Sequence, residues 1–215
     1  MSRTTIHPTS SSQQRILAAP FQQRSVNGST SATASGKQSS HAVDSVDYRN
    51  FSFKPLTPVA DVTFQEYCGP TPESNWVIPG VLLVGAYPAS QDDEETYELV
   101  TSILKERVTT FVCLQAEYQD EGVTEEMWRC GSALRPYFRD VMTVVRNKAM
   151  FPDLQGYDIV DPDRLRFVHF PIRDCSITDD DRVLDLARSL VRAISQGEVI
   201  YLHCWGGHGR TGTVV

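Results

Sequence analysis

From about residue 75 onward, apolar positions follow two different periods. In "NWVIPGVLLVGAYPAS" (75–90) a Pro-Gly turn precedes the apolar run Val81–Val84, which predicts a strand or hairpin. Ser90 stands three residues before Asp93, and an acidic turn follows. This predicts a helix start with its acids near the positive end of the dipole. Tyr97, Val100, Ile103 and Leu104 then recur at helical spacing, with Lys105 and Arg107 near the negative end. "VTTFVCLQ" (108–115) reads as a buried strand. "RLRFVHFPI" (164–172) sets Leu165, Phe167 and His169 against Arg166, Val168 and Phe170, the alternation of another strand. Thr178 and Asp181 repeat the capping spacing. Val183, Leu186, Ala187, Leu190, Val191 and Ile194 mark one helix face, and Gly197 is a fitting stop. "EVIYLHC" (198–204) is apolar on both faces, as a central strand of a covered sheet should be. Strand, helix and strand in repetition predict an α/β fold.

Two segments depart from this rhythm. Within 116–164, Gly131 and Pro136 break the helical pattern, so this stretch reads as an insertion of mixed structure inside a domain spanning 46–215. It forms either a pocket wall or a surface excursion. Residues 1–45 are rich in Ser, Thr and Gln, with too little apolar surface to offset their ordering entropy, and read as a disordered tail. Residues 1–43 carry Arg3, Arg15, Arg24 and Lys37 and no acid, a charge of +4, while the remaining 16 basic and 27 acidic residues give −11. The alternative reading of this basic, acid-free segment is an organelle transit peptide, although Pro20 interrupts its one apolar patch.

The 215 residues suffice for one ordinary domain with extensions. The net charge of −7 argues against a nucleic-acid partner. No apolar run reaches the length of a membrane span. Five irregularly spaced cysteines (68, 113, 130, 175 and 204) argue for a reducing compartment, hence the cytoplasm unless the N-terminal segment directs the chain to an organelle. Oligomeric state is left open.

The chemistry concentrates in "VIYLHCWGGHGRTGTVV" (199–215). A strand end, a glycine-rich loop and a helix start place backbone N–H groups around one concavity with positive potential. Gly206, Gly207 and Gly209 allow positive φ and close approach to an oxyanion. Cys204 in that setting is expected to ionise near neutral pH. Arg210 offers a planar fork for two phosphate oxygens. The pattern suits thiolate attack on a phosphoryl group.

His203-Cys204, five residues, then Arg210-Thr211-Gly212 resembles the signature loop of the cysteine-based protein tyrosine and dual-specificity phosphatases. The resemblance covers roughly 75–115 and 165–215, and implies a phosphatase-type central sheet flanked by helices. It implies that Cys204 is the nucleophile, forming a phosphocysteine, and that Arg210 binds phosphate together with the loop residues Trp205, Gly206, Gly207, His208 and Gly209. Thr211 would assist the thiolate, and His203 would support the loop from behind. The general acid such enzymes need corresponds to Asp174, just after Phe-Pro-Ile; Asp179, Asp180 and Asp181 are read as a first helical turn. The resemblance implies no metal or organic cofactor. It implies a phosphorylated protein as substrate, since phosphoinositide-type members carry lysines where Trp205 and His208 stand.

These residues admit other readings. A metal site of His203, Cys204 and His208 lacks a clear fourth ligand. A merely packed Cys204 leaves the glycines and Arg210 unexplained. Cys113 is expected in the core, and Cys175 is read as exposed by position, with a redox partnership to Cys204 as its alternative. The chain ends five residues after Arg210, so the resemblance describes a C-terminally truncated catalytic domain. The competing functional reading is a catalytically silent phosphate-binding or interaction protein, or a non-functional fragment.

Overall fold

A computed structural model describes residues 64–215; the segment 1–45 and both readings of it lie outside the described residues. Strands β1 (Ser74–Ile78) and β2 (Leu82–Gly85) form an antiparallel hairpin turned at Pro79-Gly80, where Gly80 takes φ 72°. Helix α1 (Asp93–Lys105) leads to β3 (Thr110–Gln115). Helices α2 (Glu125–Arg129) and α3 (Tyr137–Arg146) follow, then β4 (Arg166–Ile172), α4 (Asp180–Ser195), β5 (Ile200–His203) and α5 (Gly209–Val214).

The five strands lie in the order β1-β2-β5-β3-β4, and β2, β5, β3 and β4 run parallel. The all-apolar segment before Cys204 is the central strand, buried at every position. Successive side chains serve opposite faces of the sheet. Phe111, Cys113 and Tyr201 pack with Val100, Ile103 and Leu104 of α1 and with Tyr137, Val141 and Val144 of α3. Val112, Leu114, Ile200 and Leu202 pack on the other face with Leu186 and Leu190 of α4. Edge strand β4 is half-buried and divides likewise, Phe167 to the first face and Val168 and Phe170 to the second. The α/β architecture is therefore as the periodicity predicts.

Both long helices start later than the spacing indicates. Asp92, not Ser90, caps α1: its carboxylate accepts from the Glu95 N–H at 2.9 Å, while Ser90 Oγ accepts from the Asp92 N–H in the preceding turn. Asp179, not Thr178, caps α4 through the N–H groups of Asp181 and Arg182. In each case an acid one or two residues further along competes for the same orphan amides and takes them. Gly197 ends α4 with φ 82°.

Residues 116–164 contribute α2, α3 and three short 3-10 turns. Gly131, at φ 78°, terminates the turn after α2, and Pro136 opens α3, so the two breakers separate two helices. The segment supplies the fully buried Tyr137, Val141, Val144 and Leu154 to the first core. Each fully buried large side chain of this kind contributes about 1.5–3 kcal/mol.

Candidate active site

Three adjacent parallel strands end side by side, and each delivers one polar residue. Cys204 follows β5, Glu117 follows β3 and Asp174 follows β4. From Cys204 the chain turns through Trp205, Gly206, Gly207 and His208 into α5. Two contacts bind this loop to the exit of β2. The Tyr87 N–H donates to the Trp205 carbonyl at 2.9 Å. Gly207 sits so close to Gly85 that a Cβ would stand 2.7 Å from the Gly85 carbonyl carbon. Gly207 also takes φ 74°, so this position needs glycine on both counts. Of the three loop glycines expected to use positive φ, Gly207 alone does; Gly206 and Gly209 have ordinary φ and room for a Cβ.

The Cys204 thiol is buried at the loop's base. Burial alone would raise its pKa. The Thr211 hydroxyl, which donates to Sγ at 3.1 Å, the Thr211 and Gly207 N–H groups and the nearby Arg210 charge outweigh that cost, and the pKa is lowered. Cys113, on the adjacent strand but in the apolar core, lacks the Thr211 and Gly207 donors, and burial outweighs the Gln115 backbone hydrogen bond and the Arg210 charge and pushes its thiol up to about 12.

The Arg210 side chain is only 5% exposed. Its Nη1 donates to Glu117 Oε2 at 2.7 Å and to the Ile172 carbonyl at 3.3 Å. Its Nη2 lies 3.4 Å from Asp174 Oδ1. For Glu117, burial would raise the carboxyl pKa, but the Arg210 hydrogen bond and charge lower it overall. The guanidinium is thus anchored at one nitrogen, with the rest of the fork directed by that anchor. Asp174 is exposed, on the loop between β4 and α4, whereas Asp180 and Asp181 lie in the first turn of α4 behind their cap Asp179.

His203 lies wholly inside, against Tyr201 and Tyr137. The Cys204 carbonyl can only accept, so Nδ1 carries the proton towards it at 3.3 Å. Nε2 then accepts from the Tyr137 hydroxyl at 2.6 Å, and burial holds that hydroxyl protonated. Burial also lowers the His203 pKa to about 3 and keeps the ring neutral. Trp205 turns outward, 58% exposed, and stacks on Tyr87 at 5.9 Å between ring centroids. His208 is exposed and does not cap α5 with its side chain. Among the described residues no group of three or more His, Cys, Asp or Glu is placed to hold a metal ion.

The structure therefore brings Cys204, Thr211, Arg210 and Asp174 into one site, with His203 beneath. The sequence reasoning missed Glu117 and Tyr137. Glu117 had a signal, an acid immediately beyond a parallel strand, the same relation Asp174 has to its own. Tyr137 had none, since only the packing of α3 on the sheet takes it to His203.

A model of the DSP-PTPase phosphatase domain of the Swiss Army Knife proteins, PTP-SAK, matches residues 71–215. The chain belongs to this phosphatase family. No curated protein matches it. Similar solved structures include Tk-PTP in its active form, with 17% identity over 66% of this chain and 69% of that one, at a TM-score of 0.39. A cysteine-to-serine variant of TpbA from P. aeruginosa in complex with pTyr shows 18% identity over 67% and 60%, at 0.37. Kinase associated phosphatase (KAP), carrying a serine for its catalytic-site cysteine, shows 13% over 60% and 59%, at 0.37. Membership of a phosphatase family implies phosphorylated substrates. Among the described residues no helix is long and apolar enough to cross a membrane.

Proposed function

We propose that this phosphatase domain hydrolyses phosphotyrosine on proteins, and phosphoserine or phosphothreonine where the pocket admits them, through a phosphocysteine. The supporting observation is the Cys204 thiol: buried, yet with a pKa lowered by Gly207 of the loop and by Thr211 and Arg210 of the first turn of α5. In the first step Cys204 Sγ attacks phosphorus in line and the ester P–O bond breaks. Asp174 gives its proton to the departing oxygen. Arg210 and the loop amides carry the charge of the transferring phosphoryl group, and the substrate phosphate replaces the Asp174 carboxylate beside Nη2. In the second step water attacks phosphorus, Asp174 takes the water proton, and the S–P bond breaks. The Thr211 hydroxyl stabilises the thiolate that leaves.

The test is p-nitrophenyl phosphate hydrolysis by the chain and by Cys204→Ser, with circular dichroism on both. Steady turnover that vanishes in a folded Ser variant is expected. Asp174→Asn should then slow esters with poor leaving groups more than good ones, by about 10²–10⁴-fold at most; equal slowing would remove Asp174 from the acid's role. The second reading, a phosphate-binding domain without turnover, draws on the two carboxylates that already occupy Arg210. It predicts vanadate or phosphopeptide binding by a folded chain that releases no phosphate from any aryl ester at pH 5–7.

A further inference from the structure

A cavity of about 570 Å³ opens beside the catalytic loop, between the start of α1 and the segment 128–135. That volume lies within the range of about 300–1,000 Å³ typical of ligand sites. Trp205 belongs both to the loop between Cys204 and Arg210 and to this cavity's wall, so anything seated here is continuous with a group bound at the loop.

The wall has two chemical characters. Tyr87 and Trp128 join Trp205 as aromatic surface. Tyr87 covers one face of Trp205, whose 58% exposure leaves the indole open on its other side. Trp128 is already occupied, with the guanidiniums of Arg129 and Arg135 at 4.4 and 4.2 Å from its ring. The second character is acidic. Asp92 and Glu95 line the cavity, and neither has an ion-pair partner among the described residues. The one cation in the wall, Arg135, is committed elsewhere: it pairs with Asp140 and Asp93 through three nitrogen–oxygen contacts of 2.7–2.9 Å. The field left over is negative, next to an open indole face.

An indole face with carboxylates around it is a site for a guanidinium or ammonium group, through cation–π attraction and charge pairing together. We infer, resting on the proposed phosphoprotein activity, that this cavity selects substrates carrying an arginine or lysine close to the phosphorylated residue. The cationic side chain lies over Trp205 with its charge towards Asp92 and Glu95. Substrate preference thus depends on a charge of opposite sign to that of the Arg210 loop, a short distance along the same peptide.

The experiment uses the full chain and phosphotyrosyl peptides in which one arginine is walked through the positions flanking the phosphotyrosine, with alanine and glutamate at the same positions as comparisons. One register of arginine should raise kcat/KM about ten-fold over alanine, as an exposed ion pair and one cation–π contact together supply. In Glu95→Lys that ratio should collapse and the glutamate peptide should overtake the alanine one. Glu95→Gln, which leaves the first turn of α1 without an added charge, should lie between the two. Each ratio is taken within one protein preparation, so partial unfolding of a variant cancels. Equal rates for all registers in the unmodified chain, or an arginine preference that survives Glu95→Lys, would overturn the inference while leaving the phosphatase reading intact. If no peptide is turned over, the activity reading fails by itself. Peptide Kd values for Cys204→Ser then decide the cavity's role by the same ratios.

Discussion

Replacing Glu117 by glutamine removes one negative charge from the Arg210 anchor and preserves shape and an acceptor oxygen. Two effects oppose each other. A guanidinium freed of its carboxylate is less neutralised, which alone would tighten phosphate binding. Its Nη1, however, would exchange a carboxylate for a neutral amide oxygen and keep only neutral acceptors, with the Ile172 carbonyl at 3.3 Å, inside a site where the side chain is 5% exposed. Glu117 itself is 42% exposed, so solvent screens the pair, and exposed ion pairs of that kind are worth about 0.2–1 kcal/mol. A hydrogen bond to a charged group reaches about 1.5–3 kcal/mol. Glu117→Gln should therefore cost about 1–2 kcal/mol of transition-state stabilisation, or about 5- to 30-fold in kcat/KM.

The assay is p-nitrophenyl phosphate hydrolysis from pH 5 to 7, alongside inhibition by inorganic phosphate. Arg210 lowers the Glu117 pKa, so the carboxylate stays charged across that range and the deficit of the glutamine variant should be constant with pH. The loss should fall mainly on kcat, because the fork's alignment matters most where charge develops, while the phosphate inhibition constant moves by less. An unchanged or higher kcat would refute the view that Glu117 positions Arg210, and would mean the carboxylate merely competes with substrate.

Thr211→Ala removes a hydroxyl that lowers the Cys204 pKa, so the thiol should titrate higher; iodoacetate alkylation should slow more at pH 6 than at pH 8, and Thr211→Ser should restore it. Identical pH profiles would place the thiolate's stabilisation elsewhere. His203 titrates at about 3 when folded against an ordinary 6.5, so the unfolded chain takes the proton first. Its contribution is complete above pH 6.5 and is lost as pH falls towards 3, by up to about 1.4 kcal/mol per pH unit; urea midpoints should decline less steeply over that window in His203→Gln than in the unmodified chain. Tyr137→Phe leaves buried His203 Nε2 without its donor, a cost of about 1–3 kcal/mol. The melting temperature should drop by about 2–4 °C per kcal/mol, and an unchanged value would show that the hydrogen bond contributes nothing net. Gly207→Ala combines a positive φ with a 2.7 Å clash against Gly85 backbone and should abolish activity and lower Tm, whereas Gly206→Ala, with nothing nearer than 3.7 Å, should leave Tm within about 1 °C.

What could be read from the chain, and what could not, divides by the range of the interaction. The central position of β5 was legible because burial on both sheet faces leaves an unbroken apolar run, Ile200 to Leu202, that no edge strand would carry. Cys204, Arg210 and Thr211 were legible because a strand, a turn and a helix start fix their mutual geometry within eight residues. The exact caps were not, since Ser90, Asp92 and Asp93 can all supply an oxygen, and only the packed orientation of α1 selects Asp92. Gly206, Gly207 and Gly209 looked alike for a related reason: the demand for glycine comes from Gly85, more than a hundred residues earlier, which presses on Gly207 alone. Glu117 and Tyr137 belong to the same class. Each acquires its role from a neighbour on another element, Glu117 from Arg210 of α5 and Tyr137 from His203 of β5. The loop chemistry is therefore written locally, while the residues that aim and support it are set by the strand order β2-β5-β3-β4, which places the ends of β5, β3 and β4 side by side. Replacing Glu117 by alanine would look neutral by local propensity, yet that strand order places its carboxylate 2.7 Å from the guanidinium proposed to hold the phosphate.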